Sequence, residues 1–534
     1  MPIPNPVPVN PDHEEWDVIV IGAGMGGGVA GFELARLGRR VLFIERGLVL
    51  HGGAPNHGPQ PSDLFLEPLL RSGRWPEPLR GETSFGPVDF YAPRGCGTGG
   101  STGLYSAQLE RFRASDFSPR QWYPNAADAN LPESWPVTIG EMQPFYRRAE
   151  ALFRVTGTPD PLEPDPAAPL GAPPPMSARD RAIFERLRDL GLHPYRSHVA
   201  LAEIENCQDC DEVCQFGCKS DAGNRCVAPA LLQYGASILS RCDVLRLLTQ
   251  GRRVSGVVAR WVGREITLRA RIVVLAAGAW ITPLLLLRSG GDRWPDGLAN
   301  SSGQAGRNLM LHATDLIAVD PREWHCAAGP RKAIALNDFY DDEGHKLGTL
   351  QAVGRRLDVA TIEALIMACT DRDPDRWLRS RAGFAAKAAR MASSRFRSST
   401  LMATIVEDLP YSGNRIVPDP ASTNGMRFEY RYTEELLERN RRFQQRLSEV
   451  LSPPMALHIV PLGPNNLNYG HVCGTCRFGD DPRNSVLDKT NRTHDIDNLY
   501  ITDASFFPSS GATNPSLTIA ANALRVAGII HERL

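Results

Sequence analysis

The sequence is poor in the features that mark several whole classes of protein. No uninterrupted apolar run approaches the about 20 residues that a membrane-spanning helix needs, so no transmembrane segment is expected. There is no excess charge of either sign: 59 basic residues stand against 60 acidic ones, for a formal net charge of −1. Such a balance leaves no electrostatic footprint for nucleic acid. The opening Met-Pro-Ile-Pro-Asn-Pro-Val-Pro-Val-Asn-Pro has neither the basic n-region nor the apolar core of a signal peptide. Residues 1–15 therefore read as a flexible lead-in, and a cytoplasmic protein is expected. No internal repeat is present. Cysteine is scarce and odd in number, eleven in 534 residues, with five crowded between Cys207 and Cys226. That distribution favours reduced or metal-type usage over a disulfide framework. The length itself is too great for one simple core and calls for two or more domains.

What is present begins with Asp17-Val-Ile-Val-Ile-Gly22-Ala-Gly24-Met-Gly-Gly27. The short apolar run reads as a buried parallel strand, and the glycines follow it directly. A helix is predicted from Gly27 to Leu37, and Val41-Leu-Phe-Ile44 reads as a second buried strand ending in Glu45. In this pattern Gly22 allows a tight turn, Gly24 admits a pyrophosphate close to the backbone, and Gly27 lets helix and strand pack. The helix N-terminus offers free N–H groups to phosphate oxygens. Glu45, 23 positions after Gly22, is placed to bind a ribose hydroxyl. Strand, glycines, helix and acid together predict a dinucleotide site.

Three further stretches carry chemistry-bearing residues. Arg94-Gly-Cys-Gly-Thr-Gly99-Gly100-Ser101-Thr102 is a glycine-rich loop whose backbone N–H groups could approach a cofactor closely. His471-Val-Cys-Gly-Thr-Cys-Arg-Phe-Gly-Asp holds a histidine among small residues. Asn498-Leu-Tyr-Ile-Thr-Asp503 reads as a buried strand ending in an acid, and Asn514-Pro515-Ser-Leu-Thr opens a helix.

Together these segments resemble the glucose-methanol-choline (GMC) flavoprotein oxidoreductases. Residues 16–47, 92–113, 240–312 and 465–534 follow the order of that family's flavin domain, including Gly306-Arg-Asn-Leu-Met-Leu-His312. The resemblance implies an α/β fold with a Rossmann-type FAD-binding domain, like that of p-hydroxybenzoate hydroxylase. A second, substrate-binding domain would be built on an antiparallel sheet. The expected division gives residues 16–115, 196–312 and 463–534 to the FAD domain and residues 116–195 and 313–462 to the substrate domain. Strands are predicted at Ile334–Tyr340, Leu347–Val353 and Leu401–Val406, and an amphipathic helix at Thr433–Leu451.

The same resemblance assigns roles. His471 and Asn514 match the family's active-site pair. A neutral imidazole suits removal of a hydroxyl proton, and Asn514 can hold the substrate oxygen while hydride passes to flavin N5. Gly99, Gly100, Ser101, Thr102, Val244, Asp503, Asn514 and Pro515 join Gly22, Gly24, Gly27 and Glu45 as expected FAD contacts. The helix that starts at Asn514-Pro515 would aim N–H groups at the flavin carbonyl edge. Some relatives attach flavin covalently to a histidine just after the glycine-rich loop; Gly103-Leu-Tyr-Ser106 holds none, so non-covalent FAD is expected.

Cys207, Cys210, Cys214 and Cys218 could hold an iron–sulfur cluster or zinc, but the adjacent cysteine pair of cluster-bearing relatives is missing. Structural, reduced thiols are the expectation, with no metal. The partner is a small-molecule alcohol, with a leaning towards a glycoside or natural-product hydroxyl; oxygen, a quinone and a cytochrome all stay open as electron acceptor. The competing readings are a lyase of this family with redox-idle FAD and a non-enzymatic flavin or electron-transfer protein. The latter would need no base, which the His471–Asn514 pair supplies. The basic stretch Trp377–Arg397 reads as a cap helix with a solvated face.

Overall fold

A computed structural model describes residues 7–50, 67–202, 213–214, 217–322, 332–342, 344–354, 359, 362–363, 387, 389–393, 396, 399–460 and 467–534. Most of the basic stretch Trp377–Arg397 lies outside them. Strand β1 (Glu15–Ile21), helix α1 (Met25–Arg36) and strand β2 (Val41–Ile44) form the first unit, with β1 and β2 parallel. They sit in a seven-stranded sheet that runs Ser237–Leu239, β2, β1, Arg264–Leu275, Arg253–Trp261, Cys242–Gln250, with Leu499–Ile501 also paired to Arg264–Leu275.

The 12-residue strand Arg264–Leu275 joins two kinds of sheet. Its first half pairs antiparallel with Arg253–Trp261, and its second half pairs parallel with β1 and Leu499–Ile501. The sequence shows why. Glu265 to Arg271 alternate in burial, as a sheet with one wet face requires, whereas Ile272-Val-Val-Leu275 is buried throughout. Helix α1 packs against the C-terminal helix Ser516–Arg533, which in turn packs on Ile139–Phe153. This covers the parallel strands and brings Asn514, just ahead of the C-terminal helix, to the glycine end of the sheet.

A five-stranded antiparallel sheet follows the order Ala335–Leu336, Thr349–Ala352, Thr400–Ile405, Leu316–Asp320, Ala456–Val460. The helix Glu434–Leu451, capped by the Thr433 hydroxyl, lays Leu436, Phe443, Leu447 and Leu451 on it. The predicted strand Ile334–Tyr340 is shortened to Ala335–Leu336. Its amide side chain stops it: Asn337 Nδ2 donates to Asp160 and Tyr195, Oδ1 accepts from Thr349, and Tyr340 N–H closes a turn onto Asn337 C=O. A four-stranded sheet, unforeseen in the sequence, pairs the hairpin Leu79–Thr83 and Gly86–Phe90 with Arg415–Pro418 and Met426–Tyr430. Among the described residues no helix is long and apolar enough to cross a membrane.

Residues from three separate stretches of the chain meet in a fully buried ionic cluster. The Lys346 ammonium bridges Asp116 and Glu407, the latter at 2.7 Å, with no side-chain exposure on any of the three. The Tyr340 hydroxyl donates to Asp116 and the Tyr123 hydroxyl to Glu407. Removing the shared cation would leave two carboxylates without their counter-charge in a dry interior. Lys346→Met is therefore expected to destabilise the protein by about 3–5 kcal/mol, measured by urea denaturation with tryptophan fluorescence; an unchanged midpoint would contradict this account.

Candidate active site

The glycine turns of the first sheet open onto a cavity of about 450 Å³, within the range of small-molecule and cofactor sites. Gly22, Gly24, Glu45, Gly100, Ser101, Thr102, Val244, Asp503 and Pro515, all expected cofactor contacts, line it. Gly22 takes φ +98°, a backbone that side chains rarely adopt. A Cβ on Gly27 would lie 2.0 Å from the Gly22 carbonyl oxygen, so Gly27 serves helix–strand packing and stays off the lining. Gly99 also stays off the lining; its N–H donates to Ala23 C=O at 2.8 Å and ties the two glycine loops together.

Helix α1 has Gly24 at its N-cap, with no side-chain cap and no acid in its first turn. Its free N–H groups face the cavity, which suits the pyrophosphate of a dinucleotide. Glu45 closes the cradle. One carboxylate oxygen accepts from Ala23 N–H at 2.9 Å, and the other from Gly47 and Gly97 N–H at 2.8 and 3.0 Å. It thus fixes both glycine loops, and with two lone pairs on each oxygen it retains capacity for a ribose hydroxyl. Asp503 accepts from the N–H groups of Gly278 and Ser505 at 2.9 Å and from the hydroxyls of Thr282 and Ser505. Burial pushes its carboxyl above the usual aspartate value.

The segment after the cysteines braces this cradle. The buried Lys219 ammonium donates to Gly103 C=O at 2.8 Å and Tyr105 C=O at 3.0 Å, and Ala222 N–H donates to the Thr102 hydroxyl. Cys207 and Cys210 lie outside the described residues. Cys214 and Cys218 bring their Sγ atoms to 3.4 Å. Among the described residues no group of three or more His, Cys, Asp or Glu side chains is arranged to hold a metal ion.

His471 ends the short turn Tyr469–His471, which the Asn468 side chain caps by accepting from Gly470 N–H. The residues on either side of it, Gly470 and Val472, line the cavity. Burial first, then the neighbouring His312 and Lys332, hold its pKa well below the ordinary 6.5, so the ring is neutral at neutral pH. His312 was part of a family-like block in the sequence but carried no assigned role. The structure sets its ring edge-on to His471, Nδ1 to Nδ1 at 2.9 Å. Only its position at the end of Gly306–His312 marked it in the sequence.

Asn514 sits at the turn before the C-terminal helix, and the next two residues, Pro515 and Ser516, line the cavity. Its Oδ1 is buried without a hydrogen-bond partner among the described residues. An unpaired buried acceptor costs about 1–3 kcal/mol, so this amide is poised for a donor that a bound molecule brings. A neutral imidazole beside a dinucleotide cradle is a group for taking a proton, and the Nδ2–H of Asn514, a donor, is the part of that amide that can hold the oxygen that loses it.

Sequence and structure comparisons find similar proteins along nearly the whole chain. The N- and C-terminal sequence profiles of GMC oxidoreductases match residues 84–314 and 411–523. The chain is similar to paromamine 6'-oxidase of Streptomyces fradiae, 29% identical over 98% of this chain and 94% of that one. It is similar to 2-methyl-1,2-propanediol dehydrogenase of Mycolicibacterium austroafricanum, 26% identical over 97% and 96%. Pyridoxine 4-oxidase from Mesorbium loti shares the fold with a TM-score of 0.64 at 20% identity, over 97% of this chain and 99% of that one. Formate oxidase of Aspergillus oryzae does so with 0.66 at 14%, over 98% and 99%.

The cradle yields a test. Glu45→Ala removes the acceptor for three backbone N–H groups, and FAD retention is expected to weaken by about tenfold or more. The flavin-to-protein absorbance ratio after gel filtration measures it; full occupancy would show that the two loops hold their positions without this carboxylate.

Proposed function

As a member of the GMC family of FAD-dependent oxidoreductases, this chain oxidises a CH–OH group to a carbonyl, and we propose that it does so with His471 as the base. The observation that carries this reading is the neutral, half-buried imidazole whose two chain neighbours, Gly470 and Val472, line the cavity. The hydroxyl proton goes to the bare ring nitrogen of His471, and Asn514 holds the same oxygen by donating its Nδ2–H to it. Bound FAD supplies the two-electron acceptor for the hydrogen that leaves the carbinol carbon as hydride. The α1 N-terminus, Glu45 and the 99–102 loop keep the cofactor in place. Asp503 and the N-terminus of the Ser516–Arg533 helix also line the cavity.

The substrate is a hydroxyl of a glycoside or related natural product. Similarity to a paromamine 6'-oxidase along nearly the whole chain supports this class, as does similarity to the large subunit of a fructose dehydrogenase. FAD is held without a covalent bond. The loop that follows Thr102 offers no histidine, and burial keeps the Cys96 thiol protonated, a poor nucleophile.

Mixing the holoenzyme anaerobically with paromamine, fructose and 2-methyl-1,2-propanediol tests the oxidoreductase reading, since a redox-idle flavin would stay yellow with all three. His471→Ala should keep its flavin yet slow flavin reduction by on the order of a hundredfold or more; Asn514→Ala should slow it less, through misplacement of the hydroxyl. Because the pKa of His471 lies below 6.5, the base is already unprotonated at neutrality. The reduction rate should then be flat from neutral to alkaline pH and fall only on acidification well below 6.5. A rate that climbs through neutrality would place the base elsewhere. Acid precipitation should release all the flavin into the supernatant, and a yellow pellet would mean a covalent link.

A further inference from the structure

His312 makes contacts that leave one arrangement of protons. Its Nε2 lies 2.9 Å from Gly511 C=O and 3.2 Å from Ser510 C=O. Carbonyl oxygens only accept, so Nε2 carries a hydrogen. The ring is buried and its pKa is pushed down to about 4, chiefly by that burial, so it carries only one. Nδ1 of His312 is therefore a lone pair, 2.9 Å from Nδ1 of His471. Two bare nitrogens would repel at that distance. The hydrogen between them belongs to His471.

We propose that His312 is a positioning residue: by accepting the Nδ1–H of His471 it fixes that ring's tautomer and leaves Nε2 of His471 as the bare nitrogen that takes the substrate proton. This rests on the reading of His471 as the base. Nε2 of His471 makes no hydrogen bond among the described residues, so nothing competes for its lone pair. When it takes a proton, the Nδ1–H···Nδ1 bond stays in place, and the ring need neither turn nor change partner. A second ring nitrogen held by a fixed partner is a general way of setting tautomer and orientation. The charged groups that face the pair are Glu407 and Lys346 at His312, and Lys332 at His471.

Histidine-selective 15N NMR of the FAD-loaded protein reads the tautomer directly, with the His471→Ala variant assigning the resonance. The expected result is a protonated Nδ1 and a bare Nε2 on His471. A protonated Nε2 overturns the proposal. His312→Leu should mix the two tautomers and slow anaerobic flavin reduction by about ten- to a hundredfold, with KM little changed. The reducing probe is whichever of paromamine, fructose and 2-methyl-1,2-propanediol bleaches the holoenzyme. His312→Gln places an amide oxygen where it can accept from Nδ1–H, and should restore the wild-type NMR pattern and most of the rate. An unchanged pattern and rate in His312→Leu would overturn the proposal. Should the leucine variant not fold, the glutamine variant decides: a protonated Nε2 there sinks the idea. If His471→Ala reduces its flavin at the wild-type rate, the base reading fails, while the tautomer result still judges the His312 pairing.

Discussion

The turn at Ser510–Ala512 is the point on which the active side of the cavity depends. Its N–H groups donate to the Glu407 carboxylate and the Tyr340 hydroxyl, at 3.0 and 2.8 Å, while its carbonyls receive the His312 N–H. Asp408 adds a further pair of bonds with the Ser510 hydroxyl. Every one of these partners is buried. The turn thus cannot shift without breaking several bonds in a region water does not reach. His471 hangs on it through His312, and Asn514 follows it by two residues. One rigid element therefore sets the separation of two groups that come from distant parts of the chain.

That rigidity has an energetic cost, carried by the ionic cluster behind the turn. Lys346, Asp116 and Glu407 are wholly buried, and desolvating three charges offsets much of their mutual attraction. An apolar replacement of the whole cluster could match its stability. What it could not do is hand Glu407 to the Gly511 N–H and, through Asp116, the Tyr340 hydroxyl to the Ala512 N–H. The cluster is better understood as fixing geometry than as adding stability. The cofactor side follows the same logic with a single acid, because Glu45 ties the α1 turn to the 97–99 loop by accepting from three backbone N–H groups.

Local chemistry was legible in the sequence. The strand–glycine–helix run predicted β1, α1 and β2 because each feature follows from neighbours only: an apolar run, a positive-φ glycine, a helix start. The amphipathic helix expected at Thr433–Leu451 and found at Glu434–Leu451 is of the same kind. The Thr138-x-x-Glu141 capping box that opens Ile139–Phe153 is equally local. What stayed hidden is long-range. Lys346 stands in Gly344-His-Lys-Leu-Gly348, which reads as a polar surface turn, and its two carboxylate partners lie far away in sequence. The four-stranded sheet pairs residues 79–90 with 415–430, a partnership that no local pattern encodes. Asn337 ends its strand early through bonds to Asp160 and Tyr195, again from elsewhere in the chain.

His312 shows how such a residue escapes a motif-based reading. A buried histidine at the end of an apolar stretch is most often structural, and here it does bond to backbone carbonyls as a structural histidine would. Its second nitrogen makes the difference, and the direction of that nitrogen is set by His471 arriving from 159 positions away. A carbonyl in place of His312 Nδ1 would also accept from His471, but it would lie in the stiff backbone. An imidazole locked at Nε2 by Gly511 offers instead a lone pair whose direction is fixed yet whose ring is polarisable, and which carries no formal charge to stabilise the protonated base before the substrate arrives. That neutrality matters. A carboxylate in the same position would raise the pKa of His471 and fill its Nε2 with a proton near neutral pH, whereas a buried neutral acceptor orients the ring and leaves the base empty.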